Sequence, residues 1–213
     1  MITKCRIFEG MSKEEIESLI PYLKPDFREY KKGEYIYMAG DYIKDIFFLL
    51  EGCIQLIRED SSGARSLIAQ YTMPGTSFCE TFASVKAQSS INYYVKTNSR
   101  IMTLPYKNIM SLPLSAIQLH LKLSKNLISI LANKANNTFT QLEHVSKNNI
   151  RKKIFSYLST QRIKSGKNEF VIPINKTELA DFLFINRSAM TRELAAMKKD
   201  KLINFKGKKF KIL

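Results

Sequence analysis

NKTELADFLFINRSAMTRELAAM, residues 175–197, reads as two short helices joined by a tight turn. Asn175 caps the first helix, and Glu178 three residues on reaches back to complete a capping box. Leu179, Phe182 and Leu183 give that helix an apolar face, and Phe184-Ile185-Asn186 makes the connection. Asn186 caps the second helix, in which Met190, Leu194 and Met197 recur at spacings of four and three. Arg187, Ser188, Thr191 and Arg192 fall on the opposite face. A helix anchored on one side and presenting guanidinium and hydroxyl groups on the other fits a major groove and can read base edges.

Taken alone, the same pattern fits an ordinary αα-hairpin with two surface arginines. The flank argues against that reading. From Leu202 to Ile212, apolar residues alternate on either side of Lys206-Gly207-Lys208, which signals a hairpin. A helix-turn-helix followed by a basic hairpin is a winged helix, with Lys206 and Lys208 placed close to phosphates.

Charge points the same way. The chain carries 34 Lys+Arg against 19 Asp+Glu, a formal +15. Residues 141–213 hold 17 basic and 6 acidic side chains, whereas residues 1–140 hold 17 and 13. A third of the chain thus carries most of the excess, the footprint of a nucleic-acid surface. No long apolar span is present, and Lys4, Arg6, Glu9 and Lys13 interrupt the N-terminus, so no membrane association and a soluble, cytoplasmic protein are expected. Cys5, Cys53 and Cys79 are too few and too scattered for a disulfide framework, a zinc site or an iron–sulfur set, and His120 and His144 lie apart from them. No cofactor or metal is expected. No nucleophile or acid–base constellation is visible either, so the chain reads as a non-enzyme.

The first hundred residues read as β structure divided by Gly33, Gly40, Gly52, Gly63 and Gly75. Short β-rich runs occupy 35–37, 46–50, 53–57, 66–71, 93–96 and 100–104, a spacing that suggests a sandwich or barrel-like roll. A long helix is expected from Leu112 to Thr138, with Ser111 as cap and Pro113 in the first turn. Ile117, Leu121, Ser124, Ile128, Leu131 and Ala135 form a heptad stripe on it, and Leu119, Leu123, Leu127 and Ile130 form a second. Two apolar stripes need two partners: the roll supplies one, and the same helix of another subunit most simply supplies the other. The competing reading is a fully buried helix in a monomer. A polar linker is expected at 141–149, followed by an amphipathic helix on Ile150, Ile154, Phe155 and Leu158 whose Arg151-Lys152-Lys153 run is a solvated face. The expected division is an α+β chain: a roll at 1–110, a dimerisation helix at 111–140 and a winged helix-turn-helix at 141–213.

This order resembles the Crp/Fnr family of bacterial transcription regulators along essentially the whole chain. The resemblance is carried by the glycines of the roll, by Gly75-Thr76-Ser77-Phe78-Cys79-Glu80 and above all by LADFLFINRSAMTREL. It implies a cyclic-nucleotide-binding-like roll and base or phosphate contacts from Arg187, Ser188 and Arg192. It implies backbone contacts from Asn175 and Thr177, and a helix-packing role for Ala180. Double-stranded DNA, a second copy of the chain, RNA polymerase and a small-molecule effector are the implied partners. Phe184 stands where such turns commonly have glycine, which leaves a bulky ring to be buried. Ser188 replaces a familiar glutamate, so the operator is not inherited. In the effector region Glu80 fits the family's glutamate, but Cys79 fills a glycine position, and Ser89, with Ser90 beside it, stands where an arginine grips phosphate. Losing such a bidentate contact costs several kcal/mol of binding, so the expected effector is not cyclic AMP. Haem-carrying relatives use histidine or cysteine ligands, but His120 inside the long helix reads as a plain interface or surface residue.

The sequence therefore points to a homodimeric, sequence-specific DNA-binding regulator answering to a small molecule or redox signal. A rival reading makes the roll a ligand-sensing interaction module whose basic domain binds nucleic acid non-specifically. A further reading makes Cys53 and Cys79 a thiol switch, although free cysteine in a β core is usually inert packing.

Overall fold

The computed structural model describes residues 2–59 and 65–213, with backbone only for 65 and 66. The expected turn at Gly63 lies outside the described residues. The chain forms two compact units that divide after Lys134.

The first unit opens with two 3-10 turns, Ile2–Lys4 and Arg6–Phe8, and then α1, Lys13–Leu23. The sequence pattern of the first hundred residues suggests only β structure here. The signal was present: the Ser12 hydroxyl accepts from the Glu15 amide at 3.2 Å, and the Glu15 carboxylate accepts from the Ser12 amide at 2.9 Å. Ile16, Leu19 and Leu23, spaced at three and four, are the residues α1 buries.

β1 (Asp26–Tyr30), β2 (Tyr35–Tyr37), β3 (Asp45–Glu59), β4 (Arg65–Tyr71), β5 (Ser77–Phe78) and β6 (Asn92–Pro105) build one antiparallel sheet, with α2 (Glu80–Val85) between the last two. Its order is β1-β6-β3-β4, with β2 paired to β6 and β5 to β3. Four expected strands become two. The runs 46–50 and 53–57 merge into β3, and 93–96 and 100–104 merge into β6. Gly52 explains the difference. It has φ 102°, and the β3–β6 register shifts between Glu51 and Cys53. A Cβ there would stand 2.2 Å from the Ser99 hydroxyl, which instead accepts a bond from the Cys53 amide at 3.1 Å. The glycine marks a bulge and close backbone approach inside a continuous strand, not a turn between two.

α3 (Tyr106–Met110) and a 3-10 turn at Leu114–Ala116 precede the long helix α4, Ile117–Val145. Ser111 therefore ends α3 instead of capping α4, and Pro113 lies before α4, in extended conformation, instead of inside its first turn. At its far end α4 continues through the first residues of the expected polar linker. His144 supplies a reason, because it is buried and its Nδ1 lies 2.8 Å from the Ser156 hydroxyl.

The second unit contains the end of α4, then α5 (Ile150–Ser165), β7 (Glu169–Val171), α6 (Lys176–Phe182), α7 (Arg187–Lys199), β8 (Ile203–Lys206) and β9 (Lys209–Ile212). The three strands form an antiparallel sheet in the order β7-β9-β8. Leu158, Leu179, Met190, Leu194 and Phe210 are central to its core. Asn149 caps α5 by accepting from the Lys152 amide.

Candidate nucleic-acid interface and effector region

The helix-turn-helix forms as its residues dictate. Asn175 accepts from the Glu178 amide at 2.9 Å, and Glu178 answers at 2.6 Å from the Asn175 amide. Asn186 accepts from the amides of Ser188 and Ala189, fixing where α7 begins. Ala180 is buried where the chain turns, and its carbonyl accepts from the Ile185 amide at 2.9 Å. Phe184 is at φ 50°, so the turn adopts the left-handed conformation that glycine would favour. Its ring is 55% exposed, contrary to the expectation of burial. The backbone sets the turn, and the core is already filled by Leu179, Leu183 and Met190.

On α7, Met190, Leu194 and Met197 are buried, while Arg187, Ser188, Thr191 and Arg192 are exposed. Arg187 and Arg192 are five residues apart, about 500° round a helix and so roughly 140° from each other. Neither makes an ion pair among the described residues. The Thr191 hydroxyl donates to the Arg187 carbonyl at 2.9 Å, so it is engaged on its own helix. Asn175 and Thr177 lie at the start of α6.

The hairpin turns on Gly207, at φ 61°, and exposes Lys206 and Lys208. Lys208 donates from Nζ to the Pro173 carbonyl at 3.1 Å, which ties the wing to the segment before α6. Phe205 stacks on Phe210, and the ammonium of Lys176 stands 4.3 Å from the Phe205 ring centre. Sequence reasoning missed Arg151. Its place in a basic run suggests a solvated face, yet it pairs with Glu193 at 2.5 Å and Asp200 at 2.7 Å, linking α5 to α7. Those partners lie 42 and 49 residues along the chain, beyond any local pattern.

In the roll, Cys79 has φ 70° and is only 4% exposed. Burial pushes its thiol pKa well above the ordinary value, a rise that the Tyr93 side chain opposes. Burial likewise raises the Cys53 thiol. Both are poor thiolates, which weighs against a thiol switch. Glu80 is 1% exposed, accepts from the Ser77 hydroxyl at 3.1 Å and pairs with Lys134 of α4 at 2.6 Å. Lys134 also donates to the Ser77 carbonyl at 2.8 Å. Ser89 is buried in its own turn, where its hydroxyl donates to the Ile91 carbonyl at 2.6 Å and accepts from the Ile91 amide. Ser90 is exposed. Cys79 and Glu80 thus sit together in a satisfied network, whereas the Ser89 hydroxyl belongs to a separate local turn. Phe78 stacks between Phe47 and Tyr93 with ring centres 5.4 and 5.7 Å away, an aromatic lining that no local periodicity announces.

Along α4, Leu123, Leu127 and Ile130 are buried in the roll core, and Leu119 packs against it. On the other stripe Ile117, Leu121 and Ala135 are exposed, as is Ile128 at 66%, and Ser124 is half-buried. Leu131 is also half-buried and packs on the roll core, so it belongs partly to the first stripe.

Residues 27–114 match the family model for the cyclic nucleotide-binding domain, and residues 152–213 match that for the Crp-like helix-turn-helix domain. Among solved structures, the catabolite activator protein of Thermus thermophilus is 19% identical, with 98% of this chain and 93% of that one covered and a TM-score of 0.56. CprK complexed with OCPA is 18% identical over 92% and 91%, with a TM-score of 0.67. The c-di-GMP-responsive global regulator CLP of Xanthomonas campestris is 14% identical over 94% and 99%, with a TM-score of 0.59. At such identities these likenesses speak for the fold. No curated protein is a significant match in sequence. By its two domains and its fold, the chain belongs to the Crp/Fnr family of DNA-binding transcription regulators. No described helix is long and apolar enough to cross a membrane.

Proposed function

We propose that this chain acts in the cytoplasm as a homodimer that binds specific DNA sites and answers to a small molecule other than cyclic AMP. The observation that carries the reading is the division of α7, with three apolar side chains buried and Arg187, Ser188 and Arg192 exposed beside a lysine-bearing wing. A helix presented in this way enters a major groove. Arg192 and Ser188, four residues apart, share a side and reach base edges. Arg187, at the N-terminal end, contacts a base or a nearby phosphate, while Asn175, Thr177, Lys206 and Lys208 hold the backbone.

The uncovered stripe of α4 supports self-association. Ile117, Leu121 and Ile128 are large apolar side chains left in water, and a second copy of the same helix would cover them. The effector reading rests on the roll. Ser89 offers no positive charge to a phosphate and its hydroxyl is already engaged, while Glu80 is paired to Lys134. An effector that changed the Glu80–Lys134 contact would act directly on α4, shifting the population of dimer arrangements that space two recognition helices one DNA turn apart. RNA polymerase is the partner such a regulator would meet at a promoter.

Selection of sites from random DNA, with sedimentation of the same protein, tests the reading. A palindromic consensus bound by a dimer is expected. Retention of all sequences alike would favour the rival, a sensing module with non-specific affinity for nucleic acid. Calorimetry with cyclic AMP should show no binding tighter than the millimolar range.

A further inference from the structure

The first unit contains a concavity lined by none of Cys79, Glu80, Ser89 and Ser90. It has a volume of about 570 Å³ and lies between the start of β3, the end of α2 and the junction of β6 with α3. That size is within the range of small-molecule sites. Ile43 and Ala83, both fully buried, form part of its wall together with Pro105 and Tyr106. Its charged lining is uneven. Lys44, Lys86 and Lys107 are exposed at the edge, against the single carboxyl of Asp45. None of the three lysines makes an ion pair among the described residues. Burial raises the pKa of Asp45, and the nearby charges of Arg28, Lys44 and Lys107 oppose that rise.

These features select a ligand class. A nucleotide or sugar would press hydroxyls against Ile43, Ala83 and Pro105, which return no hydrogen bond, and would find neutral polar partners only in Tyr42 and Tyr106. A neutral hydrocarbon would leave the surplus of ammonium groups unused. An apolar body with an anionic head satisfies both the wall and the edge. We propose that this cavity binds a small organic carboxylate with an apolar chain or ring, its body against Ile43 and Ala83 and its head among Lys44, Lys86 and Lys107. The site requires no DNA, so its test stands apart from the regulatory reading above.

Octanoate is the probe, with acetate and 1-octanol as the head-only and body-only comparisons. Binding to the full chain is followed by the methyl resonances of Ile43 and Ala83. The expected result is a saturable shift with octanoate, none with acetate, and at least about fivefold weaker binding of 1-octanol. Lys86→Ala combined with Lys107→Ala, both exposed positions, should weaken octanoate roughly tenfold, the loss of about one charge-assisted contact. Ala83→Leu should block the cavity, and the lysine variant decides the matter if that chain does not fold. Absence of a saturable shift into the millimolar range, equal affinity for 1-octanol, or an unchanged constant in the lysine variant would overturn the proposal.

Discussion

Cys79 and Phe184 stand at φ 70° and 50°, each in the turn immediately before a helix region. Before α2 the side chain is buried and its neighbour Glu80 is paired to Lys134. Before α7 the side chain is in solvent, and the residues that follow it present Arg187, Ser188 and Arg192 outward. The same backbone conformation serves opposite ends. In the roll, polar groups are consumed by one another. On the recognition helix they are left available for a partner. Functional side chains are therefore held by packing and pairing in one region and by the backbone alone in the other.

Breaking the buried pair should have the largest effect. Lys134→Ala leaves the Glu80 carboxylate buried without its cation and should cost about 3 kcal/mol, the lower end for such pairs because the ammonium is one-third exposed. Denaturant unfolding of the first unit checks this, and Arg192→Ala should shift no transition by more than about 0.5 kcal/mol. Next in size is the effect of Arg192→Ala on DNA. It should remove about 1–3 kcal/mol of discrimination at one symmetric pair of base positions, visible as a flattened consensus in selected sites. An unchanged consensus would remove Arg192 from the base-reading role.

Glycine at the two turns sharpens the comparison further. Phe184→Gly relieves a left-handed residue at about 1–2 kcal/mol, offset in part by the greater chain entropy of glycine, and should stabilise the second unit by about 0.5–1 kcal/mol. Cys79→Gly gains the same relief but loses a thiol buried in the roll core, so no net stabilisation is expected in thermal unfolding, in contrast to Phe184→Gly. The smallest effect concerns pH. Burial lowers the pKa of His144 below its ordinary 6.5, so the unfolded chain takes up the proton first. Its contribution is fully present above pH 6.5 and is lost as pH falls through the folded value. Stability of the second unit should decline on acidification, and His144→Gln should flatten that decline.

What was legible in the sequence follows the same contrast. The two faces of α7, the caps at Asn175 and Asn186 and the inner stripe of α4 are periodic and local, and the fold displays them as the spacing requires, whereas Leu131 of the outer stripe packs partly on the roll core. Lys134 lies far along the chain from Glu80, and Arg151 far from Glu193, so neither pairing could be read from neighbours. Gly52 was mistaken for a turn because a positive-φ bulge and a positive-φ turn share a residue type; only the approach of Ser99 separates them. The capping box of α1 is legible in Ser12 and Glu15, but it stands in a region where glycine-divided β-rich runs dominate the pattern. Phe184 was expected inward because a large ring usually finds a core, yet nothing in the turn demands it.

Arg151 bears on the thermodynamics of DNA association. Its guanidinium already pairs with two carboxylates, Glu193 of α7 and Asp200 at its cap, so a duplex bound nearby would gain little counterion release from it. Lys209, facing Glu169, is similarly occupied. The slope of log affinity against log salt, about 0.9 per phosphate neutralised, therefore reports fewer groups than the 17 basic residues of 141–213. Arg151 instead removes the field of two anions from α7, so its contribution persists at ionic strengths where the exposed lysines are screened.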